Sequence, residues 1–331
     1  MPLAHQNQHG SATRNTARSK SRAVSSSLKV KIGLIGFGTV ARRHADVIAK
    51  SQRFDLCAIA STAPVLDGPD CPVFAHHGEL LAHESIVDAV AICTPPAVRY
   101  HIARDALMAG KDVLLEKPPS VTLGEIIALE QLARRMRLSL FAAWHSRFNG
   151  AVRMAERVLS QRQIHRIGIS WLEDVERWHA NQDWIWEAKG LGVFDAGINA
   201  IAILSQIVPS PVIVTESVMW ASPGRAAPIA ARVDGHLADG SAELRIDLDW
   251  RVSQDCRELR IECADGSALL LGQSGRSLEV DGVRLIAETN QEYERLYAHF
   301  GSLIEQRTSD VDIEPLRLTT DAFMIARHFT A

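Results

Sequence analysis

Between residues 28 and 145 the chain alternates short, unbroken apolar runs with stretches in which apolar positions recur at helical spacing. Residues 28–35, 55–60, 89–93, 112–115 and 138–143 are the apolar runs, rich in Val, Ile and Leu, as expected of strands buried on both faces. Residues 39–50, 99–109 and 123–135 carry the helical period, and Gly110 is placed to stop the second of these. Strand–helix alternation of this kind predicts a parallel, doubly wound α/β sheet. Beyond residue 145 the pattern changes. Residues 163–173, 212–219, 231–237, 242–250, 258–263 and 267–271 read as strands, with Asp239-Gly240, Asp265-Gly266 and Asp281-Gly282 as hairpin-type turns. Residues 292–306 and 315–327 read as two closing helices. The second half is therefore expected to be an α+β domain on a large, open, mostly antiparallel sheet. A broad open face needs covering, which predicts a homo-oligomer, a dimer in the simplest case.

Length and composition narrow the class without changing it. At 331 residues there is room for about two domains. The boundaries expected are an extension over 1–28, a first domain over 29–145 and a second over 146–331. A net charge of −3 gives no support for a nucleic-acid or membrane-surface partner. No apolar run approaches the ~18 residues of a membrane span. The five cysteines, Cys57, Cys71, Cys93, Cys256 and Cys263, are scattered and odd in number, which suits reduced thiols in a cytoplasmic protein. Residues 1–28 are rich in Ser, Arg and Thr, and the first acidic residue is Asp46. Such a segment cannot bury a core and is expected to be a disordered extension.

Within 31–44, Gly36-x-Gly38-x-x-Ala41 fits a dinucleotide fingerprint and lies between a predicted strand and a predicted helix, the context that gives it meaning. Gly36 makes the tight turn, Gly38 admits a pyrophosphate, and Ala41 lets helix and strand approach. Phe37, Thr39 and Val40 share the turn and are expected around the cofactor. A Rossmann domain over 29–145 follows. Its second strand ends in Ser61-Thr62 without a carboxylate. An acid there would repel a 2′-phosphate, whereas Ser61, Thr62 and Arg42 can donate to one. NADP is slightly favoured over NAD.

Residues 111–119 read Lys-Asp-Val-Leu-Leu-Glu-Lys-Pro-Pro. Pro118 and Pro119 end the strand at once, which pins Lys117 at its carboxyl end, where ligands bind in open α/β sheets. Beside an oxidised nicotinamide, like charge disfavours the protonated lysine, so Lys117 is the candidate for proton chemistry. Asp195 and Asn199 lie four apart on a predicted helix and share a face; one accepts hydrogen bonds and the other both donates and accepts, which suits a sugar hydroxyl. The bland alternative makes Asp195 a helix cap. Five of the seven tryptophans fall between Trp144 and Trp186, where indole faces suit the C–H patches of a pyranose. Trp178 is expected in the pocket and Trp171 in the core. His145 follows a strand end and is expected in the pocket. His76, His77, His83 and Glu84 lie in what reads as an irregular loop, and no metal site is expected there.

Taken together, Gly36-x-Gly38, Cys93-Thr94-Pro95-Pro96 with His101, and Glu116-Lys117-Pro118 resemble the Gfo/Idh/MocA oxidoreductase family from about residue 29 to the chain end. The strings Trp144-His145-Ser146-Arg147, Glu173-Asp174-Val175 with Arg177-Trp178-His179, and Gly190-Leu191-Gly192-Val193-Phe194-Asp195 look like its bacterial sugar 1-dehydrogenases, which act on L-arabinose and D-galactose. The resemblance implies oxidation of an aldose at C1 to its lactone with reduction of NAD(P). It also implies Thr94, Pro95, Pro96, His101 and Glu116 at the cofactor, His145, Glu173, Trp178, His179 and Asn199 at the substrate, and Lys117 and Asp195 in catalysis. Many members carry a histidine where this chain has Asn199, and Ala196 and Glu187-Ala188-Lys189 replace proline-containing versions. An inositol-type or imine-reducing oxidoreductase is disfavoured by Asn199 and Trp178-His179. A sugar sensor without catalysis is disfavoured by the presence of both Lys117 and Asp195.

Overall fold

The computed structural model describes residues 29–180 and 182–331. The extension expected over 1–28, including the first residue of the 28–35 run, lies outside the described residues. Among those described, strands β1 (Val30–Ile35), β2 (Phe54–Ala60), β3 (Val73–Phe74), β4 (Ala89–Ile92), β5 (Asp112–Glu116) and β6 (Leu140–Ala143) form one sheet in the order β3-β2-β1-β4-β5-β6. Every pairing in it is parallel. Helices α1 (Thr39–Ala49), α2 (His77–Ala82), α3 (Pro96–Met108) and α4 (Leu123–Met136) connect the strands.

The unbroken apolar runs are explained by two cores, one on each face. Along β5, Val113 and Leu115 join the core with Ile102, Ala106, Ile126 and Leu129, while Leu114 points to the other with Ile32, Leu34 and Ile48. That second core is completed from the far end of the chain. Helix α8 (Glu292–Gln306) buries Tyr293, Leu296, Tyr297, Phe300 and Leu303 against it. At about 1.5–3 kcal/mol per large apolar side chain, this return is a major part of what holds the sheet.

The remaining strands among the described residues form a nine-stranded sheet in the order β14-β13-β12-β11-β7-β10-β9-β8-β15. Its strands are β7 (Ile164–Asp174), β8 (Val212–Ala221), β9 (Ala230–Leu237), β10 (Glu243–Asp249), β11 (Arg251–Cys263), β12 (Ala268–Gly272), β13 (Ser277–Val280), β14 (Val283–Ala287) and β15 (Ala326–Thr330). All pairs are antiparallel except β10–β7 and β15–β8. Helices α5 (Gly150–Leu159), α7 (Phe194–Ile207) and α9 (Glu314–Met324) pack on one face. The short α6 (Val175–His179) follows β7 directly. The opposite face carries Arg166, Arg232, Glu243 and Arg245, all exposed.

Two expectations need correction, and one helix was not expected. The closing helix read over 315–327 stops at Met324, and Ala326–Thr330 becomes an edge strand, because the inward period ends once Ala322 is buried. The segment read as a loop around His76 holds β3 and α2, in which the His76 side chain caps the helix and Leu80 and Leu81 are buried. Helix α5 was not anticipated, although Ala151, Val152, Ala155 and Leu159 stand at helical spacing and are buried.

Candidate active site

The carboxyl edge of the parallel sheet gathers the glycine turn, Thr94, Lys117 and His145. Gly36 has φ +84°, and a Cβ there would stand 3.1 Å from the Thr94 amide nitrogen, so only glycine fits. Gly38 is the N-cap of α1 and offers no side chain to its amides; nothing lies within 4 Å of where its Cβ would be. That open space before a helix N-terminus fits a pyrophosphate. The buried Thr94 Oγ1, without a hydrogen-bond partner among the described residues, is a further polar group at this edge.

The other residues expected at the cofactor divide. Thr39 and Val40 are exposed on the first turn of α1, and Phe37 is half-buried beneath the Arg42 guanidinium at 5.1 Å. Arg42 also donates to the Leu66 carbonyl at 2.8 Å, which fastens the loop after β2. Ser61 donates to the Ala63 carbonyl at 2.8 Å, and Thr62 is exposed beside it. Pro95 and Pro96 begin α3. His101 is exposed on α3 against Tyr100, whereas Arg99 points inward and donates to the carbonyls of Thr94, Glu116 and Pro118. Arg99 was missed; its spacing with the buried Ile102, Ala103 and Ala106 is the signal that marks it as inward-facing.

Lys117 reaches across to α7. Its Nζ donates to the Asp195 carboxylate at 3.1 Å and to the Asp195 carbonyl at 2.7 Å, and the side chain is 14% exposed. The capping alternative for Asp195 fails: Val193 is the N-cap, and Asp195 is the second residue of the helix, almost fully buried. His179 Nε2 stands 4.0 Å from the same carboxylate oxygen. Burial pushes the His179 imidazole down, with Lys117 adding to this and Asp195 opposing it, so the neutral ring is favoured. Its ring lies 4.9 Å from that of Trp250, a buried residue whose Nε1 has no partner among the described residues. Trp250 was also missed, for it reads as the end of a core strand.

Asn199, one turn along α7, donates to the Ala196 carbonyl at 3.1 Å and is half-buried. Its own carbonyl accepts from Ser146 Oγ at 3.1 Å, and Arg147 donates to the Ala202 carbonyl at 2.8 Å, so the turn after β6 is clamped to α7. His145, in that turn, pairs with Glu292 at 3.2 Å and stacks on Tyr293. Glu173 is buried at the end of β7, where it accepts from Trp171 Nε1 at 2.7 Å and pairs with Arg257 at 2.7 Å. Burial raises its carboxyl above the usual range, against the opposing charge of Arg257. Trp171 is buried in the core, and Trp178 is 41% exposed. Trp178 is anchored rather than loose: its Nε1 donates to Asp255 at 2.9 Å and the Arg257 guanidinium covers the ring at 4.3 Å. Glu116 faces away from the open edge into a buried cluster with His44 and two tyrosines. Among the described residues, no group of three or more His, Cys, Asp or Glu side chains converges as a metal site would require, and no helix is long and apolar enough to cross a membrane.

The side chains of Asp195, Lys117 and His179, from three separate elements, thus converge at the edge that holds the glycine turn. Such a set can orient a hydroxylated substrate and move a proton. The model of the GFO/IDH/MocA oxidoreductase family, with its NAD-binding Rossmann fold, matches residues 30–143. Galactose 1-dehydrogenase of Pseudomonas fluorescens is 37% identical over 303 residues, 89% of this chain and 95% of that protein. The crystal structure of a D-galactose-1-dehydrogenase protein from Rhizobium etli aligns with a TM-score of 0.86 at 41% identity, over 92% of this chain and 97% of that one. The WlbA dehydrogenase from Bordetella pertussis, solved with NADH and UDP-GlcNAcA, shares the fold at 18% identity and a TM-score of 0.77.

Proposed function

The chain belongs to the Gfo/Idh/MocA oxidoreductase family, and from that premise we propose that it is an aldose 1-dehydrogenase converting D-galactose, L-arabinose or D-fucose to the corresponding aldonolactone. The observation that carries this reading is the Lys117–Asp195 pair, 3.1 Å apart, at the edge of the sheet that holds the glycine turn. Both full-length relatives are named for galactose oxidation at C1.

Bound at the glycine turn, a nicotinamide supplies the two-electron acceptor for C1. The protein's own residues supply the rest. Lys117 Nζ, as the neutral amine favoured beside an oxidised nicotinamide, takes the proton of the C1 hydroxyl, and Asp195 holds that nitrogen in place and stabilises the ammonium so formed. His179, as a neutral imidazole, and Asn199 orient neighbouring hydroxyls. Glu173 and His145 bound the pocket, and Trp178 borders its rim. The absence of a carboxylate at the end of β2, with Ser61, Thr62 and Arg42 nearby, supports NADP over NAD. Thr94, Pro95, Pro96, Phe37, Thr39 and Val40 line the cofactor edge. His101, outward on α3, is assigned a contact only at its margin. We place the enzyme in the cytoplasm and assign the exposed charged face of the nine-stranded sheet to a second copy of the chain, which sedimentation would reveal as a dimer.

The test is reduction of NADP+, then NAD+, by purified protein against D-galactose, L-arabinose, D-fucose, D-xylose, D-glucose and myo-inositol. Turnover with the first three is expected. Turnover with myo-inositol alone would overturn the assignment, and cofactor binding with no turnover anywhere would favour the sensor.

A further inference from the structure

We infer that His44 and Glu116 are positioning residues: a buried pair that locks the glycine-turn helix to the strand end carrying Lys117, so that the lysine is held where the cofactor turn requires it. This rests on the proposed function only in taking Lys117 as the working lysine.

The Glu116 carboxylate is saturated in a particular way. Oε1 accepts from His44 Nε2 at 3.0 Å and from the Tyr293 hydroxyl at 2.7 Å, and Oε2 accepts from the backbone N–H of Lys117 at 2.8 Å. Three donors therefore converge on one side chain. Only an ionised carboxylate can accept from all of them; glutamine has a single acceptor oxygen and would turn a donor toward a donor. His44 is completely buried, and its Nδ1 meets the Tyr297 hydroxyl at 2.8 Å. Each participant comes from a different part of the chain. His44 lies on α1, two turns beyond Gly38; Glu116 ends β5; Tyr293 and Tyr297 belong to α8. The first turn of α8 extends the cluster, since Glu292 pairs with His145 at 3.2 Å and with Arg43 at 3.6 Å and accepts from Asn149 at 3.2 Å. One buried cluster thus joins the helix of the dinucleotide turn, the strand end at Lys117 and the strand end at His145.

The charges agree with the geometry. Burial alone would raise the Glu116 carboxyl, but the hydrogen bond and charge of His44, the charge of His145 and the Tyr293 hydroxyl hold it far below the usual carboxylate range. Burial likewise opposes charge on His44, and its surroundings of Cys93, Tyr297 and Glu116 outweigh it and hold the ring well above its usual value. A buried carboxylate deprived of its cationic partner is costly, so neither residue is readily replaced alone.

The chemistry at Lys117 does not use this cluster, since Nζ points the other way, to Asp195. What the cluster controls is backbone: the Lys117 N–H is fixed on one side while Nζ is fixed on the other.

The experiment reads lysine accessibility and needs no turnover. Full-length protein is acylated with a limiting amount of an amine-reactive reagent, and the rate at each lysine is mapped by mass spectrometry in wild type, Glu116→Gln and Tyr293→Phe. Lys111, buried at the opposite end of β5, is the internal control. We expect Lys117 to react about tenfold faster in Glu116→Gln, by local opening of the strand end, with Lys111 unchanged. Tyr293→Phe, which removes only a hydroxyl, is expected to give a smaller rise at Lys117 and keeps the test available if Glu116→Gln does not fold. Where turnover is measurable, kcat should fall while the NADP+ dissociation constant stays within about threefold. An unchanged Lys117 rate, or equal rises at Lys117 and Lys111, would overturn the inference. A wild type silent on every sugar would defeat the proposed function and leave the labelling result to decide this one.

Discussion

The two edges of the parallel sheet use similar residues for opposite ends. At the amino edge, polar groups are tied to backbone: Lys111 Nζ donates to the Val87 carbonyl at 2.9 Å, Asp88 accepts from the Lys31 N–H at 2.9 Å, and Asp112 accepts from the Ser139 N–H at 2.7 Å. At the carboxyl edge, Lys117 faces a carboxylate, and Thr94 Oγ1, His179 Nδ1 and Trp250 Nε1 stand without partners among the described residues. Buried polar groups are normally paired, so the unpaired ones at this edge are open to a ligand. Two lysines flank one strand, six positions apart: Lys111 satisfies carbonyls, and Lys117 faces Asp195.

Substitutions should separate the edges in order of size. Lys117→Met is expected to lower kcat by about 10³-fold while cofactor affinity is kept, since it removes the proposed proton acceptor but leaves the glycine turn. Steady-state rates with cofactor titration by fluorescence would check this. Asp195→Asn should lower kcat/KM by about 10²-fold, by weakening the hold on Nζ; near-normal values would return Asp195 to a structural part. Lys111→Met, at the other edge, should do the reverse. It leaves the Val87 and Glu84 carbonyls unpaired and costs about 1–3 kcal/mol of stability, visible as a lower midpoint in urea, with kcat unchanged. Ser61→Asp should cut kcat/KM for NADP+ about tenfold relative to NAD+, through repulsion of the 2′-phosphate.

The smallest effect concerns pH. A histidine whose folded value is raised contributes stability that is fully present below its unfolded value and is lost as pH rises through the folded one. His44 is such a group. Wild type should therefore lose stability on the alkaline side of neutrality by a limb that His44→Asn lacks, measurable as the difference in Tm between the two proteins across a pH series.

Much of this was legible in the sequence because local chemistry carried it. Pro118 and Pro119 placed Lys117 at a strand end, and Gly36 and Gly38 marked the turn in a strand–helix context. What was missed depends on partners distant in the chain. The resemblance implies Glu116 at the cofactor, but it does not show the side chain's partners, His44 and Tyr293, and residue 293 lies on a helix whose return to the first sheet no local pattern shows. Trp171, expected in the core, is buried there; the anchoring of Trp178 by Asp255 and Arg257 belongs to β11, whose first half pairs irregularly with β7 and so escapes an alternation test. Arg99 was overlooked because an arginine on a helix is ordinarily taken as solvated.

The most direct measurement is a double-mutant cycle on kcat/KM with the best aldose, comparing Lys117→Met, Asp195→Asn and the double variant. If Lys117 and Asp195 act as one unit, the double variant should be about as slow as Lys117→Met alone, with a large coupling energy. Losses that simply add would mean that the two groups work independently, and the 3.1 Å pair would not be the centre of the chemistry.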